Sequence, residues 1–285
     1  MLADYKRMKD SPVKKKILGI SLSDLSTSQV LEYVMSSVEK SRKKLSIVTP
    51  NPEIVVYAHA HPQYQKLINE ADIAICDGAG LYLAAKYLGV PLHERITGVD
   101  LMQKLCGEAA KKAVTVGFLG GRGNVAERTA QCLREKYPGL KVVFVAPEWS
   151  EEGFAVAEQL RRTTQNPTRK NAERKDQRLP VGRQAVQRVV PQSSAPVIDI
   201  LFVAFGFPKQ EEWIAHNLPI LPVKVAMGVG GAFDYLSGEV IRAPFFIRAI
   251  GLEWLFRLIR QPWRWRRQLA LLTFVRQVVS ARLRT

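Results

Sequence analysis

The chain has 285 residues, of which 47% are hydrophobic, and a formal net charge of +16. This length and composition allow a large buried core and exclude an intrinsically disordered protein. Cys76, Cys106 and Cys132 are odd in number and widely spaced, which argues against a disulfide framework and predicts small buried side chains in a reducing compartment.

The positive charge is concentrated in two segments. Residues 161–190 carry nine Lys or Arg against two acids, and residues 241–285 carry ten Arg against the single acid Glu253. Together these excesses equal the whole net charge, so the rest of the chain is close to neutral. The charged N-terminus is not followed by an apolar segment, so we expect no secretory signal and a cytoplasmic protein.

Short apolar runs rich in β-branched residues predict six strands, at 45–49, 73–76, 114–119, 141–145, 198–205 and 223–229. Helical patterns lie between several of them, at 79–88, 99–111 and 123–136. This alternation predicts an α/β fold, with a Rossmann-like, mostly parallel sheet that has helices on both faces.

Residues 163–196 interrupt the alternation, with four prolines, many charges and no sustained periodicity. This composition predicts a mobile basic insertion in the core, and a basic arm that binds a partner is the alternative.

The segment 241–285 differs from the core that we assign to 1–240. Arg is its only basic residue type, and its bulky aromatic residues include Phe245, Phe246, Trp254, Trp263 and Trp265. Its longest uncharged run is too short to cross a bilayer. We therefore predict a helical appendage that lies on an anionic membrane surface, at the inner face of the cell membrane. If one helix continued across Pro262, it would carry a polar stripe of Glu253, Arg257, Arg260, Arg264 and Arg267.

Polar or glycine-rich segments follow five of the predicted strands. In chain order they contain Thr49, Asn51 and Glu53; Asp77; Gly120 and Gly121 of "GGRGN"; Lys209 and Gln210; and Asp234. Because ligands bind at the carboxyl ends of parallel strands, we expect these segments to meet at one cleft, with "GGRGN" suited to a phosphate. Two alternatives are structural: Asp77 as a turn or N-cap residue, and Pro208, Glu211 and Glu212 as an ordinary helix start.

Seven motifs, taken in order, resemble the WecG/TagA/CpsF family of bacterial glycosyltransferases. They are "TPNPE", "ADIAICDGAGLYLAAKYLG", "RITGVDLM", "GFLGGRGNVAE", "FVAFGFPKQEEWI", "GVGGAFDYLSGEVIRAP" and "GLEWLFRLIRQPWRWRRQ". The resemblance implies an inverting transfer of a sugar from a UDP-sugar to an undecaprenyl-diphosphate-linked sugar in surface-polymer synthesis. The pair is often N-acetylmannosamine and lipid-linked N-acetylglucosamine.

The resemblance also implies roles for individual residues. Asp77 would be the general base. Donor or acceptor contacts would come from Thr49, Asn51, Arg95, Gln210 and Asp234, and contacts to the substrate diphosphate from Arg257, Arg264 and Arg267. Lys209 lies close enough to Gln210 in sequence to favour a phosphate. Since the chain has no Asp-x-Asp motif that would hold a divalent metal on a diphosphate, we expect neither a metal nor another cofactor.

Two other functions compete with this interpretation. A nucleotide-cofactor oxidoreductase would suit the fold, but the Gly-rich fingerprint and its acidic partner are missing. A nucleic-acid-binding protein would suit the basic charge, although we expect no nucleic-acid partner. The identity of the sugar and the presence of a homo-oligomer are left open.

Overall fold

The structure is a computed structural model that describes residues 12–40, 43–147 and 198–284. The predicted insertion at 163–196 lies outside these residues. Within them, the strands are β1 (Lys14–Ile17), β2 (Ile20–Ser23), β3 (Leu45–Val48), β4 (Ile73–Ala74), β5 (Thr115–Gly120), β6 (Lys141–Ala146), β7 (Ile198–Ala204) and β8 (Val223–Gly228).

The helices begin and end as follows: α1 (Thr27–Lys40), α2 (Pro52–Ala60), α3 (Pro62–Glu70), α4 (Ala79–Tyr87), α5 (Gly98–Lys111), α6 (Val125–Lys136), α7 (Lys209–Asn217), α8 (Ala232–Leu236), α9 (Phe245–Ala249), α10 (Glu253–Arg260) and α11 (Trp265–Arg282), with a 3-10 turn at Pro262–Arg264 between the last two.

Strands β3 to β8 form one parallel sheet in the order β4-β3-β8-β7-β5-β6. Its central strands are buried on both sides. In β7, Ile200 and Phe202 pack into a core shared with α1, α5 and α6, whereas Leu201 and Val203 pack into a core on the side of α7. The six predicted strands and the helices on both faces are therefore confirmed.

A small hairpin, β1–β2, was not predicted from the sequence. Its strands are antiparallel and only four residues long, and three lysines occupy β1. Ile17, Ile20 and Leu22 are buried in a core cluster with residues of α2, α3 and α4. The hairpin is thus a separate two-stranded sheet that packs with these helices and does not extend the main sheet.

The segment after residue 240 is helical, as predicted, but it is not one continuous helix. Helix α10 ends at Arg260, Gln261 has a non-helical backbone (φ −131, ψ 70), and Pro262 begins the 3-10 turn. The proline ring disfavours helical backbone angles at the preceding residue, and proline lacks the N–H group that a helix interior needs. The helix therefore does not continue across Pro262, and the condition for a single polar stripe is not met.

Helix α11 packs on the core. Phe274 and Val278 are buried in the same cluster as Ile54, Val55 and Ala58 of α2. The last helix therefore contributes to the hydrophobic core, while the division between core and appendage at residue 240 stays a prediction.

The three cysteines are free thiols. Cys76 and Cys106 are buried, as predicted for small apolar side chains, and burial raises the pKa of the Cys76 thiol to about 12. Cys132 is exposed on α6, so the prediction is wrong for this residue, which lies on the outer side of an amphipathic helix.

Candidate active site

One cleft lies at the carboxyl ends of the parallel strands and has a volume of about 310 Å³. It is lined by the segments that follow β3, β4, β7 and β8, and by residues of α9, α10, the 3-10 turn and α11. Thr49, Asn51, Asp77, Arg95, Gln210, Arg257, Arg264 and Arg267 are among its lining residues. Most of the residues predicted from the sequence are therefore brought together.

Thr49 and Asn51 follow β3 and fix the start of α2. The hydroxyl group of Thr49 donates to the carbonyl oxygen of Gly228 at 3.3 Å, which connects the ends of β3 and β8. The side-chain oxygen of Asn51 accepts from the backbone N–H of Ile54 at 3.0 Å and caps α2. Among the described residues, the NH₂ group of Asn51 has no protein partner and is available to a ligand.

Asp77 follows β4 and lies where α4 and α5 begin. The backbone N–H groups of Gly78 and Gly98 lower the pKa of its carboxyl group, and a Cβ on Gly98 would lie 3.6 Å from Asp77 Oδ2. The N-cap residue of α4 is Gly78, in the left-handed region (φ 85), so Asp77 is not that helix's N-cap. The carboxylate therefore lies beside two helix starts, whose N–H groups and dipoles favour its negative charge.

The surroundings of Asp77 suit a proton acceptor. Burial, followed by the negative charge of Glu253, raises its pKa from the ordinary 3.8 to about 7. The N–H groups of Gly98 and Gly78 and the positive charge of Arg242 act in the opposite direction. A carboxyl group with a pKa near neutrality combines a usable ionised fraction with a stronger driving force for taking a proton.

Gln210 is 2% exposed and lies at the centre of a hydrogen-bond network behind the cleft. Its side-chain oxygen accepts from the N–H groups of Gly206 at 3.2 Å and Gly230 at 2.9 Å. Its NH₂ group donates to Glu211 at 2.7 Å, and Glu211 also accepts from the hydroxyl group of Tyr64 at 3.0 Å. Gln210 therefore connects the loops that follow β7 and β8.

Glu211 fixes which way the Gln210 amide points. A carboxylate only accepts hydrogen bonds, so the NH₂ group of Gln210 must face it and the oxygen must face the two glycine N–H groups. Burial raises the pKa of Glu211 to about 7, and its hydrogen bonds with Gln210 and Tyr64 oppose that rise.

Asp234 and Arg257 join α8 to the appendage. Arg257 Nη2 lies 3.4 Å from Asp234 Oδ2, and its guanidinium carbon lies 4.8 Å from the ring centre of Tyr235. Gly231 allows this close approach, because a Cβ there would lie 2.9 Å from Arg257 Nη2. Asp234 thus acts directly on an arginine of the cleft.

The cleft arginines from the appendage form a cluster of like charge. Burial, followed by the charges of Arg257 and Arg267, lowers the pKa of Arg264 to about 10. Arg267 Nε lies 3.7 Å from Glu53 Oε2, and its guanidinium carbon lies 5.7 Å from the ring centre of Phe207. Such a cluster favours a multiply charged anion, and guanidinium groups match phosphate oxygens in geometry.

Arg95 connects the core to α9. Its Nη2 donates to the carbonyl oxygen of Arg248 at 3.0 Å. Nearby, Gly251 has a left-handed backbone (φ 81), and a Cβ there would lie 2.4 Å from the Cβ of Ala79 at the start of α4. The appendage therefore closes directly over the helix start next to Asp77.

Four predicted residues do not line this cleft: Lys209, Gly120, Gly121 and Asp234, which instead contacts Arg257. Lys209 is exposed at the first position of α7. The N–H of Gly121 donates to the carbonyl oxygen of Ala204, and a Cβ on Gly120 would lie 2.8 Å from the backbone of Ala204. The glycines here let β5 and β7 approach each other, so four strand ends, not five, meet at the cleft.

The sequence analysis gave no role to several residues that the structure places in the cleft. They include Arg242, Arg248, Tyr235, Phe207 and Thr97. Arg242 belongs to the motif "GEVIRAP", which marks its region, but its partner Asp100 is distant in sequence. An ion pair between residues so far apart in the chain leaves no recognisable pattern in the local sequence.

Comparisons with known proteins agree with the resemblance of the seven motifs. The model of the glycosyl transferase WecG/TagA/CpsF family matches residues 15–285. An N-acetylglucosaminyldiphosphoundecaprenol N-acetyl-beta-D-mannosaminyltransferase of Bacillus spizizenii is 31% identical over 266 residues, covering 93% of this chain and 91% of the relative. A protein of the same name from Staphylococcus aureus is 30% identical over 252 residues, covering 88% and 86%. The oxidoreductase and nucleic-acid alternatives receive no support.

Proposed function

The chain belongs to the WecG/TagA/CpsF family of glycosyltransferases, and on that premise we propose that it transfers N-acetylmannosamine from a UDP-sugar to undecaprenyl-diphosphate-linked N-acetylglucosamine. The names of the two relatives support this choice of sugar and acceptor. Synthesis of a cell-surface polymer is the expected setting.

The observation that carries this proposal is one cleft that contains a buried carboxyl group and a cluster of arginines. Asp77 has a pKa raised to about 7, and Arg257, Arg264 and Arg267 line the same cleft. A sugar transfer between two diphosphate-bearing substrates needs both: a base for the acceptor hydroxyl group and positive charge for the diphosphates.

We assign the proton transfer to Asp77. Its carboxylate takes the proton of the acceptor hydroxyl group as that oxygen forms a bond to the anomeric carbon of the donor. The bond from this carbon to the phosphate oxygen breaks on the opposite face, so the configuration inverts and UDP leaves. Asp77 then returns the proton to solvent.

Arginines of the appendage would neutralise the diphosphate. Arg257 is held by Asp234, and the lowered pKa of Arg264 reflects first its burial and then the neighbouring positive charges, which an anion would offset. Thr49, Asn51 and Arg95 are the remaining side chains proposed to contact the sugars, whereas Gln210 would act by holding the two glycine loops.

A panel of UDP-sugars tests the proposal, with a lipid-diphosphate N-acetylglucosamine acceptor and mass detection of the product. We expect N-acetylmannosamine transfer to exceed that of N-acetylglucosamine or glucose by at least tenfold in kcat/KM. Preference for another donor would overturn the assignment of the sugar. Retention of configuration in the product would overturn the single-step mechanism.

We also propose that the appendage docks on the inner face of the cell membrane. Among the described residues, no helix is long and apolar enough to cross a bilayer. The aromatic side chains of the appendage are exposed instead: 77% for Phe245, 67% for Phe246 and 70% for Trp263. Exposed aromatic residues among arginines are typical of a surface that enters the headgroup region of anionic lipid.

Sedimentation with liposomes tests the docking. We expect the protein to bind vesicles that contain anionic phospholipid, and binding to weaken as salt is raised. Phe245→Ser together with Trp263→Ser should reduce binding at least tenfold. Val13→Ser, which changes a 65% exposed apolar residue outside the appendage, is the matched control. Equal binding by both variants would refute the docking surface.

A further inference from the structure

Arg242 connects the appendage to the start of α5. Its Nη1 and Nη2 contact the two carboxylate oxygens of Asp100, at 2.5 and 3.0 Å. Its Nη2 also donates to Thr97 Oγ1 at 3.3 Å, and its Nε donates to Glu253 Oε1 at 3.1 Å. Glu253 is the first residue of α10, so one guanidinium group binds the core and the appendage together.

The part of the core that Arg242 binds is the part that holds Asp77. Thr97 is the N-cap of α5, and its hydroxyl oxygen accepts from the N–H of Asp100. The next residue, Gly98, lies beside the carboxylate of Asp77: a Cβ on Gly98 would lie only 3.6 Å from Asp77 Oδ2. The N–H of Gly98 also lowers the pKa of Asp77. A shift of this helix start would therefore change the immediate surroundings of the carboxylate.

We propose that Arg242 and Glu253 are positioning residues for Asp77, and that their ion pair ties the docked appendage to the base. The proposal rests on the assignment of Asp77 as the base. It adds that the appendage acts on the proton transfer, besides supplying arginines to the substrates.

The two partners act on Asp77 with opposite signs. The negative charge of Glu253 raises the pKa of Asp77, and the positive charge of Arg242 lowers it. The other charged or titratable groups around Asp77 on the packed elements are Cys76, Glu53, Asp100, Arg95, Arg248, Arg257, Arg264 and Arg267. They are unchanged when only Arg242 or Glu253 is substituted.

Because Glu253 and Arg242 shift the pKa of Asp77 in opposite directions, substituting each of them should have opposite effects on the pH profile. An ion pair with a purely structural role would give the same effect in both variants. Asp77 must be ionised to act, so activity rises with pH through its pKa and produces an acid limb in the pH profile of kcat. Glu253→Gln should lower that pKa and move the limb to lower pH. Arg242→Gln should raise it and move the limb to higher pH. We expect about half a pH unit in each direction, or about a threefold change in kcat on the limb.

Three further variants complete the experiment. Arg242→Lys keeps the charge but loses the paired contacts with Asp100, so kcat should fall while the limb stays nearer the wild-type position. Arg128→Gln breaks a surface ion pair with Glu239 and should leave the limb unchanged. Asp77→Asn should abolish most turnover, and normal turnover in that variant would refute the base itself rather than its positioning.

The outcomes separate clearly. Limbs that move in opposite directions support the proposal. If the acid limbs of Glu253→Gln and Arg242→Gln move in the same direction, or do not move, the proposal is wrong. Loss of the ion pair between these residues would then account for the whole change in activity. Thermal unfolding identifies any variant that does not fold. If Arg242→Gln does not fold, Glu253→Gln and Arg242→Lys test the proposal in its place. An acid limb that does not move in Glu253→Gln refutes the proposal.

Discussion

Asp77→Asn should make the protein more stable at alkaline pH while it removes most of the activity. The carboxyl group has a pKa raised from 3.8 to about 7 in the folded protein. A group with a raised folded pKa contributes stability below its unfolded pKa, and that contribution is lost as pH rises through the folded value. At pH 8 the wild type therefore carries the full cost of a buried negative charge, which the Asn variant lacks.

The size of the gain follows from the pKa shift. A change from 3.8 to about 7 corresponds to an upper limit of about 4 kcal/mol at pH 8. Asn is neutral, like the protonated carboxyl group, so the gain should approach this limit at pH 8 and disappear towards pH 4.

Urea unfolding at several pH values, followed by tryptophan fluorescence, measures this difference. Turnover measured on the same samples should fall by at least about 10². An Asn variant whose stability runs parallel to that of the wild type from pH 4 to 8 would refute the raised pKa. Near-normal turnover would dismiss Asp77 as the base.

Three other substitutions test the packing and the cleft. Phe274→Ala should lower the free energy of unfolding by about 3–5 kcal/mol because it leaves a cavity between α11 and α2. As the control, Phe245→Ala changes an exposed side chain and should change this free energy by less than about 0.5 kcal/mol. Equal urea midpoints for the two variants would show that α11 does not pack as described. Gln210→Ala should reduce both kcat and the affinity for UDP measured by calorimetry, because the N–H groups of Gly206 and Gly230 lose their acceptor. Unchanged values would show that the two glycine loops keep their conformation without the Gln210 side chain. Asp234→Asn should raise KM more than it lowers kcat by loosening Arg257, with a KM equal to that of the wild type as the contrary result.

The sequence predicted the strands well for a physical reason. A parallel strand with helices on both faces is buried on both faces, so it reads as a continuous apolar run such as that of β7. The hairpin β1–β2 escaped because it is short and begins "KKKI". The order of the strands depends on pairings such as β3 with β8, which connect residues far apart in sequence and leave no local pattern.

The site residues were predicted through motifs, and their partners were not. Asp77 and the appendage arginines stand in recognisable stretches, but the contacts of Arg242 with Asp100 and Glu253 depend on the tertiary structure. For Gln210, the motif gave the position and suggested a sugar contact. In the structure its oxygen accepts from two backbone N–H groups, and adjacent residues in the sequence could not indicate these contacts.

The position of β8 in the sheet has a consequence for how the protein folds. This strand lies between β3 and β7, and Leu45 of β3 pairs with Val225. Without β8, strands β3 and β4, which precede Thr49 and Asp77, have no pairing with β7, which precedes Gln210. Pairing β8 with β3 closes a loop that runs from Leu45 to Val225. This step is slow, because the chain loses the conformational entropy of the loop before the strand contacts form. Recovery of activity during refolding should therefore follow the arrival of β8, however early the helices appear.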